Sequence, residues 1–331
     1  MAQRSNAAMW DDGTASIATR AAWLHFAGGM TQAEVAQRLG ISSLKAHRLI
    51  SRASKEGLIR VYVDGEIAEC IQLEEALCAR YRLESCQVVP TLDDEPLPLR
   101  ALGMAGAEFL RLALQREEYA VIGVGHGRTL AAAVEHLPRM PAGGTSFVSL
   151  LGGLTRKFAA NPYDVIHRLA ERTGAEAYVM PVPFVANSVE DRRVLMAQRG
   201  ISEVFDLASR AGLMLVGIGT VEPEASLIST RTIERAEMDD VKAAGGCGEL
   251  LGHFYDAAGA PVRSHLSDRT LSVPPEQISG RRLVAIAGGT AKVPAIRSIL
   301  SSGLLGGLIT DERTAAALVS PTPGSPQDGR H

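Results

Sequence analysis

The sequence predicts an α/β chain in two parts: a small helical head, then a larger body built on a mostly parallel sheet with helices on both faces. Three observations lead there. Seven near-continuous apolar runs beyond residue 85 alternate with helical patterns, as expected of strands buried on both faces and joined by helical crossovers. Residues 15–63 carry helix-period patterns and a single alternating run at their end. Charge is segregated as well. The 331 residues sum to −3, but Ala15 to Val63 holds seven Lys/Arg against two Glu, a balance of +5, which leaves −8 for the remainder. A basic head on an acidic body implies two different kinds of partner.

In the head, Ile17, Ala21 and Leu24 give the stretch from Thr14 to Gly28 a 3.6-residue period, closed by Gly28-Gly29. Thr31-Gln32-Ala33-Glu34 has the form of a capping box, which starts a second helix with a Val35, Ala36 and Leu39 face. Gly40 stands where a left-handed residue ends a helix, and Ser42 can cap a third helix from Ser43 to about Lys55. On that third helix Ala46, Leu49, Ile50 and Ala53 form a core stripe, while Lys45, Arg48, Arg52 and Lys55 line another face.

Two short helices joined by a glycine-containing turn, the second one basic, form a helix-turn-helix whose second helix enters the DNA major groove. Leu58 to Val63 alternates with period two, as a wing strand would. A basic stripe alone is usually only a solvated surface. The conjunction of capping box, Gly40, Ile41, Ser42 and segregated charge makes double-stranded DNA the expected partner. Ser43, Lys45, His47 and Arg48 are the expected base readers, and Arg52, Lys55 and Arg60 the phosphate contacts. Thr31 and Ser42, at the two helix starts, complete the DNA-facing set. His47 has the alternative of packing against the preceding helix.

The pattern from Glu66 to Arg82 reads as a linking helix, which divides the chain into a DNA-binding domain at 1–64 and an effector and oligomerisation domain at 65–320. Residues 321–331 are rich in Pro, Gly and Ser and are expected to be a disordered tail. The body's strands are expected at 86–89, 120–124, 146–151, 177–180, 213–218, 283–287 and 308–309. Helical patterns fall at about 99–114, 129–137, 163–173, 189–199, 202–210, 291–301 and 312–318.

Four of those strands run into glycine clusters: Gly123-Val124-Gly125-His126-Gly127-Arg128-Thr129, Gly152-Gly153 followed by Thr155-Arg156-Lys157, Gly217-Ile218-Gly219-Thr220, and Gly288-Gly289-Thr290-Ala291-Lys292. In an open parallel sheet ligands bind beyond the carboxyl ends of the strands, where absent side chains let backbone N–H groups approach an anion. A single such turn is usually just a tight connection. Four on one sheet, three with basic or hydroxyl donors, point to a pocket for a phosphorylated ligand. Lys292 is the strongest candidate for pairing with phosphate. Glu249 and Asp268 are the candidate acceptors for sugar hydroxyls, ahead of His253 and Asp256, with a surface or capping role as the alternative for each. The first cluster matches neither GxGxxG nor GxxxxGK[ST], so no nucleotide cofactor is indicated.

Other classes are excluded by composition. The longest charge-free run, Met140 to Thr155, has 16 residues and is broken by Pro141 and four glycines, so no membrane span is expected. The start of the chain lacks a secretory pattern, which makes the cytoplasm the expected location. Cys70, Cys78 and Cys86 are eight apart and Cys247 is remote, matching neither a metal knuckle nor a disulfide framework.

Several of these segments together carry a resemblance: Met30 to Ser42, Gly125 to Thr129, Gly248-Glu249-Leu250 with Phe254-Tyr255-Asp256, and Ala287 to Lys292 followed by Ile309-Thr310-Asp311-Glu312. In this order, across roughly Ala15 to Val319, they resemble the SorC family of bacterial transcriptional regulators. The resemblance implies a winged helix-turn-helix followed by an α/β effector domain related to sugar-phosphate isomerases and glucosamine-phosphate deaminases. It also implies dimers or tetramers, and a phosphorylated sugar or polyol as effector. Around the ligand's phosphate it places Gly127, Arg128, Thr129, Gly152, Gly153 and Lys292, with Gly125 and Gly289 in the same turns. The chain differs from many members in carrying Ser42-Ser43-Leu44-Lys45-Ala46-His47-Arg48 where they have Ser-Arg-Pro-Thr-Val-Ser-Arg, and Glu249 where they have an aspartate.

The function expected is therefore a DNA-binding regulator of a carbohydrate or polyol catabolic operon, its operator binding modulated by a phosphorylated sugar or polyol. The alternative is an isomerase- or deaminase-type enzyme with an accessory DNA-binding head. That chemistry needs a positioned base and acid, and no pair among Glu249, His253 and Asp268 has a recognisable catalytic spacing. A regulator without catalytic activity or cofactor is the expectation.

Overall fold

The computed structural model describes residues 16–55, 68–91, 96–153 and 163–320. The expected wing strand with Arg60, the Thr155-Arg156-Lys157 donors, the start of the linking helix and the tail lie outside the described residues. Contacts divide the chain into two units, Met1–Gly65 and Glu66–His331.

The first unit begins with helix α1 (residues 16–22), which continues through a π-helical turn, Trp23–Ala27. Helices α2 (Gln32–Leu39) and α3 (Ser43–Lys55) follow. Local chemistry fixes their boundaries. The Thr31 hydroxyl accepts the Glu34 amide at 3.3 Å, and the Glu34 carboxylate accepts the Thr31 amide at 2.7 Å, so the capping box is formed on both sides. Glu34 is correspondingly held below its ordinary carboxylate pKa by those bonds. Gly40 closes α2 in the left-handed region at φ 65°, and Ser42 Oγ accepts the Lys45 amide at 3.3 Å to start α3. Ala18, Ala21, Leu24, Val35, Ala36, Ala46, Leu49, Ile50 and Ala53 are buried together as one small core.

The second unit starts with α4 (Ala68–Tyr81), followed by β1 (Ser85–Val89), α5 (Leu99–Gln115), β2 (Val121–Val124), α6 (Arg128–His136), β3 (Ser146–Ser149), α7 (Ile166–Thr173) and β4 (Ala177–Tyr178). Then come α8 (Val189–Met196), α9 (Arg199–Ser209), β5 (Leu213–Val216), β6 (Gly219–Thr220), α10 (Ser226–Ser229), α11 (Arg235–Ala243), β7 (Gly248–Leu250), β8 (His253–Tyr255) and β9 (Pro261–Val262). The chain closes with α12 (Pro275–Ile278), β10 (Arg282–Ile286), α13 (Val293–Ser301), β11 (Gly307–Asp311) and α14 (Glu312–Val319).

All seven apolar runs are strands of one parallel sheet in the order β1-β11-β10-β5-β2-β3-β4. Each face is buried. Along β5, Leu213 and Leu215 enter one core while Met214 and Val216 enter the other, and Val284 and Ile286 oppose Leu283 and Ala285 along β10 in the same way. Strands pointing alternately into two cores must be apolar throughout, which is why they read as continuous runs. From β2 the chain steps outward through β3 to β4, then returns to β5 and steps the other way to β10 and β11. The boundary between β2 and β5 is thus a topological switch point, where neighbouring connections diverge and open a crevice.

Some expected elements differ. The strands expected to reach Leu151, Met180 and Ile218 end at Ser149, Tyr178 and Val216, and the helix expected from Tyr163 begins at Ile166, whose amide the Asp164 carboxylate accepts at 3.0 Å. The antiparallel sheet β6-β7-β8-β9 and the helix α11 have no counterpart among the expected elements. Strands of two or three residues show no periodicity, and α11 buries only Met238 and Val241.

Candidate functional site

On α3 the core stripe and the outer face separate as the sequence pattern demands. Ala46, Leu49, Ile50 and Ala53 are at most 6% exposed, whereas Ser43, Leu44, Lys45, His47 and Arg48 are exposed. Arg52 is half-buried, and the Lys55 side chain lies outside the described residues. The His47 ring lies 3.1 Å from the Gln32 side chain through Nδ1, so it is braced against α2 while remaining at the surface. Thr31, counted among DNA contacts, has its hydroxyl committed to Glu34, donating at 2.9 Å as well as accepting the amide. Ser42 is engaged as the cap of α3.

In the second unit, a cleft opens at the switch point. Its walls are Gly127, Arg128 and Thr129 after β2, Gly217 to Thr220 after β5, Glu249 on β7, and Lys292 in the 3-10 turn after β10. Gly127 takes φ 142°, donates its own amide to the Tyr163 carbonyl at 3.5 Å and precedes α6 with no side-chain cap, so the positive end of the helix, with the amides that follow Gly127, lies at the cleft. The Thr129 hydroxyl donates to the Ile286 carbonyl at 2.6 Å, which ties this turn to β10.

Lys292 Nζ donates to the Ile218 carbonyl at 2.7 Å. Burial, helped by the nearby Arg128 charge and opposed by Glu249, pushes the ammonium pKa down to about 8. Two cations held together in a desolvated cleft favour an anion between them. Glu249 is buried, and its Oε1 accepts the Gly252 amide at 2.5 Å. Burial raises its pKa against that bond and the Lys292 charge. A Cβ at Gly219 would overlap Glu249 Oε2, so only glycine lets the carboxylate lie against this strand. A buried carboxylate beside the Lys292 ammonium supplies acceptor lone pairs for hydroxyl groups.

Other expected ligands are spent within the fold. The Gly125 amide donates to Leu215 O at 2.8 Å in the sheet. Gly152 donates to Leu271 O at 2.9 Å, and a Cβ on it would collide with the Pro183 carbonyl. At Gly153 a Cβ would press on the Asp164 carboxylate at 2.8 Å. The Gly289 amide donates to Asp311 Oδ2 at 3.0 Å and to Thr314 Oγ1 at 2.8 Å, while Asp311 Oδ1 also caps α14 through the Thr314 amide. Gly289 therefore fixes the Lys292 turn and does not offer its own N–H to a ligand. Asp268 is exposed in the 3-10 turn Ser267–Arg269 and does not line the cleft. Its neighbour Arg269 points inward, pairing with Glu237 at 2.5 Å.

The sequence pattern missed part of the lining. His126, Tyr163, Phe184 and Thr230 all reach the cleft, and His126 lies 3.9 Å from Asp164. Burial lowers the His126 pKa, and the Asp164 charge opposes that shift. Only His126, inside the glycine cluster, carried a signal; the others come from segments remote in sequence. Among the described residues no group of His, Cys, Asp and Glu is placed to hold a metal, and no helix is long and apolar enough to cross a membrane.

Comparison with known proteins bears on both units. A winged helix-turn-helix DNA-binding family matches residues 27–60, and a sugar-binding domain family matches residues 65–320. The erythritol catabolism regulatory protein EryD of Brucella abortus (strain 2308) is 55% identical over 308 residues, which cover 93% of this chain and 98% of that one. The transcriptional regulator LsrR of Enterobacter sp. (strain 638) is 29% identical, covering 92% and 93%. Among solved structures, the full-length sorbitol operon regulator SorC from Klebsiella pneumoniae is similar with a TM-score of 0.68 at 25% identity, covering 94% of this chain and 100% of that one.

Proposed function

The chain belongs to the SorC family of transcriptional regulators and is not an enzyme, and from that premise we propose that it controls a carbohydrate or polyol catabolic operon in response to a phosphorylated sugar or polyol. The observation that carries the phosphate is the convergence of Arg128, Lys292 and the uncapped start of α6 on one cleft. Glu249 is the reader of the ligand's hydroxyls. The 55% identity to a regulator named for erythritol catabolism favours a four-carbon polyol or ketose phosphate.

In this reading α3 lies in the major groove, with Ser43, Lys45, His47 and Arg48 toward base edges and Arg52 and Lys55 toward the backbone. The chain acts as a homodimer or homotetramer, so that paired heads meet inverted half-sites. An effector that binds one arrangement of the body more tightly than another shifts the population and with it the spacing of the heads.

The test uses the full-length chain, a panel of four- to six-carbon sugars and polyols with and without phosphate, and duplexes the protein selects from a random pool. Only phosphorylated members should raise the melting temperature and change retention of the selected duplex, with stabilisation of about 2.7 kcal/mol at a hundredfold excess over Kd. Arg48→Ala should weaken duplex binding more than tenfold and leave that stabilisation intact. Equal stabilisation by the unphosphorylated compounds would overturn the phosphate, and turnover of any member would overturn the regulator.

A further inference from the structure

The outer face of α3 contains one residue that polar DNA recognition leaves unexplained. Ala46, Leu49, Ile50 and Ala53 define the buried stripe. At about 100° per residue, that stripe is centred roughly 190° around the helix from Leu44, so Leu44 stands at the middle of the outward face. It is 61% exposed, in the first turn of α3, where the Ser42 cap fixes the start of the helix. His47 and Arg48, exposed, and Ser51, half-buried, flank it on the same face. An exposed leucine is unremarkable in itself. A leucine in the first turn of a face otherwise made of serine, histidine, arginine and lysine is placed where the groove floor lies.

We propose that Leu44 reads the C5-methyl group of a thymine in the operator's major groove. The inference rests on the DNA-binding reading of α3 and adds a base to it. An isobutyl group neither donates nor accepts hydrogen bonds, so it gains nothing from the N7, O6, O4 or exocyclic amino groups of the bases. The thymine methyl is the one apolar group that the four ordinary bases present in that groove. Contact with it removes both apolar surfaces from water. Arg48 and Lys45, about 40° and 100° to one side of Leu44 around the helix, draw that side of α3 against the phosphates and edges that frame the contact, and His47 stands on the other side.

The experiment is a uracil scan. A duplex selected by the full-length protein from a random pool has each thymine replaced singly by deoxyuridine, which deletes the methyl and keeps every hydrogen-bonding group. Wild type should lose roughly fourfold in affinity at one thymine per half-site, the factor for one buried methyl group. Leu44→Ala, folded because the side chain is exposed, should bind the parent duplex more weakly by a similar factor and be indifferent to that replacement. Leu44→Met should keep part of the sensitivity. A flat scan for wild type, or a scan unchanged in Leu44→Ala, overturns the assignment. Weakening of Leu44→Ala by one uniform factor on every duplex, with the uracil penalty retained, would instead assign Leu44 to a protein contact. Failure of wild type to select any duplex would take down the DNA-binding reading itself.

Discussion

The turns after β2 and β3 look alike in sequence, two glycine-rich exits from neighbouring strands, yet they do opposite things. After β2, Gly127 adopts φ 142°, an added Cβ would meet nothing within 4 Å, and the turn opens into the cleft. After β3, the Gly152 amide is bonded to Leu271 and its Cα faces the carbonyls of Val182 and Pro183. Glycine marks a close approach in both cases. Whether a ligand or the chain itself makes that approach depends on which segment the tertiary fold brings alongside. The same contrast separates Gly217 and Gly219 in the cleft wall from Gly289, whose amide serves Asp311 and Thr314.

The sharpest way to break this comparison is a methyl group at each turn. Gly152→Ala should cost about 3 kcal/mol in chemical denaturation, because backbone carbonyls rather than a flexible side-chain end must move. Gly127→Ala should cost less, about 2 kcal/mol, for a backbone region essentially reserved for glycine, while abolishing stabilisation by the effector. Equal destabilisation by the two would erase the distinction.

Next in size is Lys292→Met, which removes the half-buried cation but keeps the stem. Effector affinity in calorimetry should fall about a hundredfold, the loss of one partner in a desolvated charge pair, with duplex selection by the unliganded protein unchanged. An unaltered Kd would remove Lys292 from the phosphate site.

The smallest effect is a pH profile. In the unliganded protein Lys292 loses its charge as pH rises through about 8, whereas the phosphate is already a dianion above its second pKa near 6. Affinity should therefore fall about tenfold between pH 7 and pH 9 in wild type and stay flat in Lys292→Met. The unfolded chain binds more protons at this lysine between about pH 8 and the ordinary value near 10.4. Lys292 accordingly makes the unliganded fold less stable below about pH 8 and adds stability as pH rises across that window. A calorimetric titration at three pH values separates the two expectations.

Much of the architecture was legible because its causes are local or periodic. Thr31, Glu34 and Gly40 bound α2 through their own side-chain and backbone chemistry, and the seven strands announce themselves by burial on both faces. The small sheet escaped notice because its strands span two or three residues and are held by pairing across distant segments, such as Gly219 with Glu249. The expected site was partly legible for the same reason. Gly127, Arg128, Thr129 and Lys292 follow strand ends directly and meet wherever those ends meet. Only its residue type marks out Asp268, and the fold turns it outward while turning Arg269 inward. Tyr163 and Phe184 arrive from segments that carry no ligand-like pattern.

What the sequence determined by itself was the helix-turn-helix, the parallel sheet and the glycine-bearing strand ends, since capping bonds and burial periodicity act within a few residues. Only the tertiary structure decided which glycine turns line the cleft and which are packed against the chain, and which carboxylate lies beside Lys292. Those outcomes depend on pairings between residues tens to hundreds of positions apart, such as Gly152 with Leu271 and Thr129 with Ile286, and no local pattern encodes such pairings.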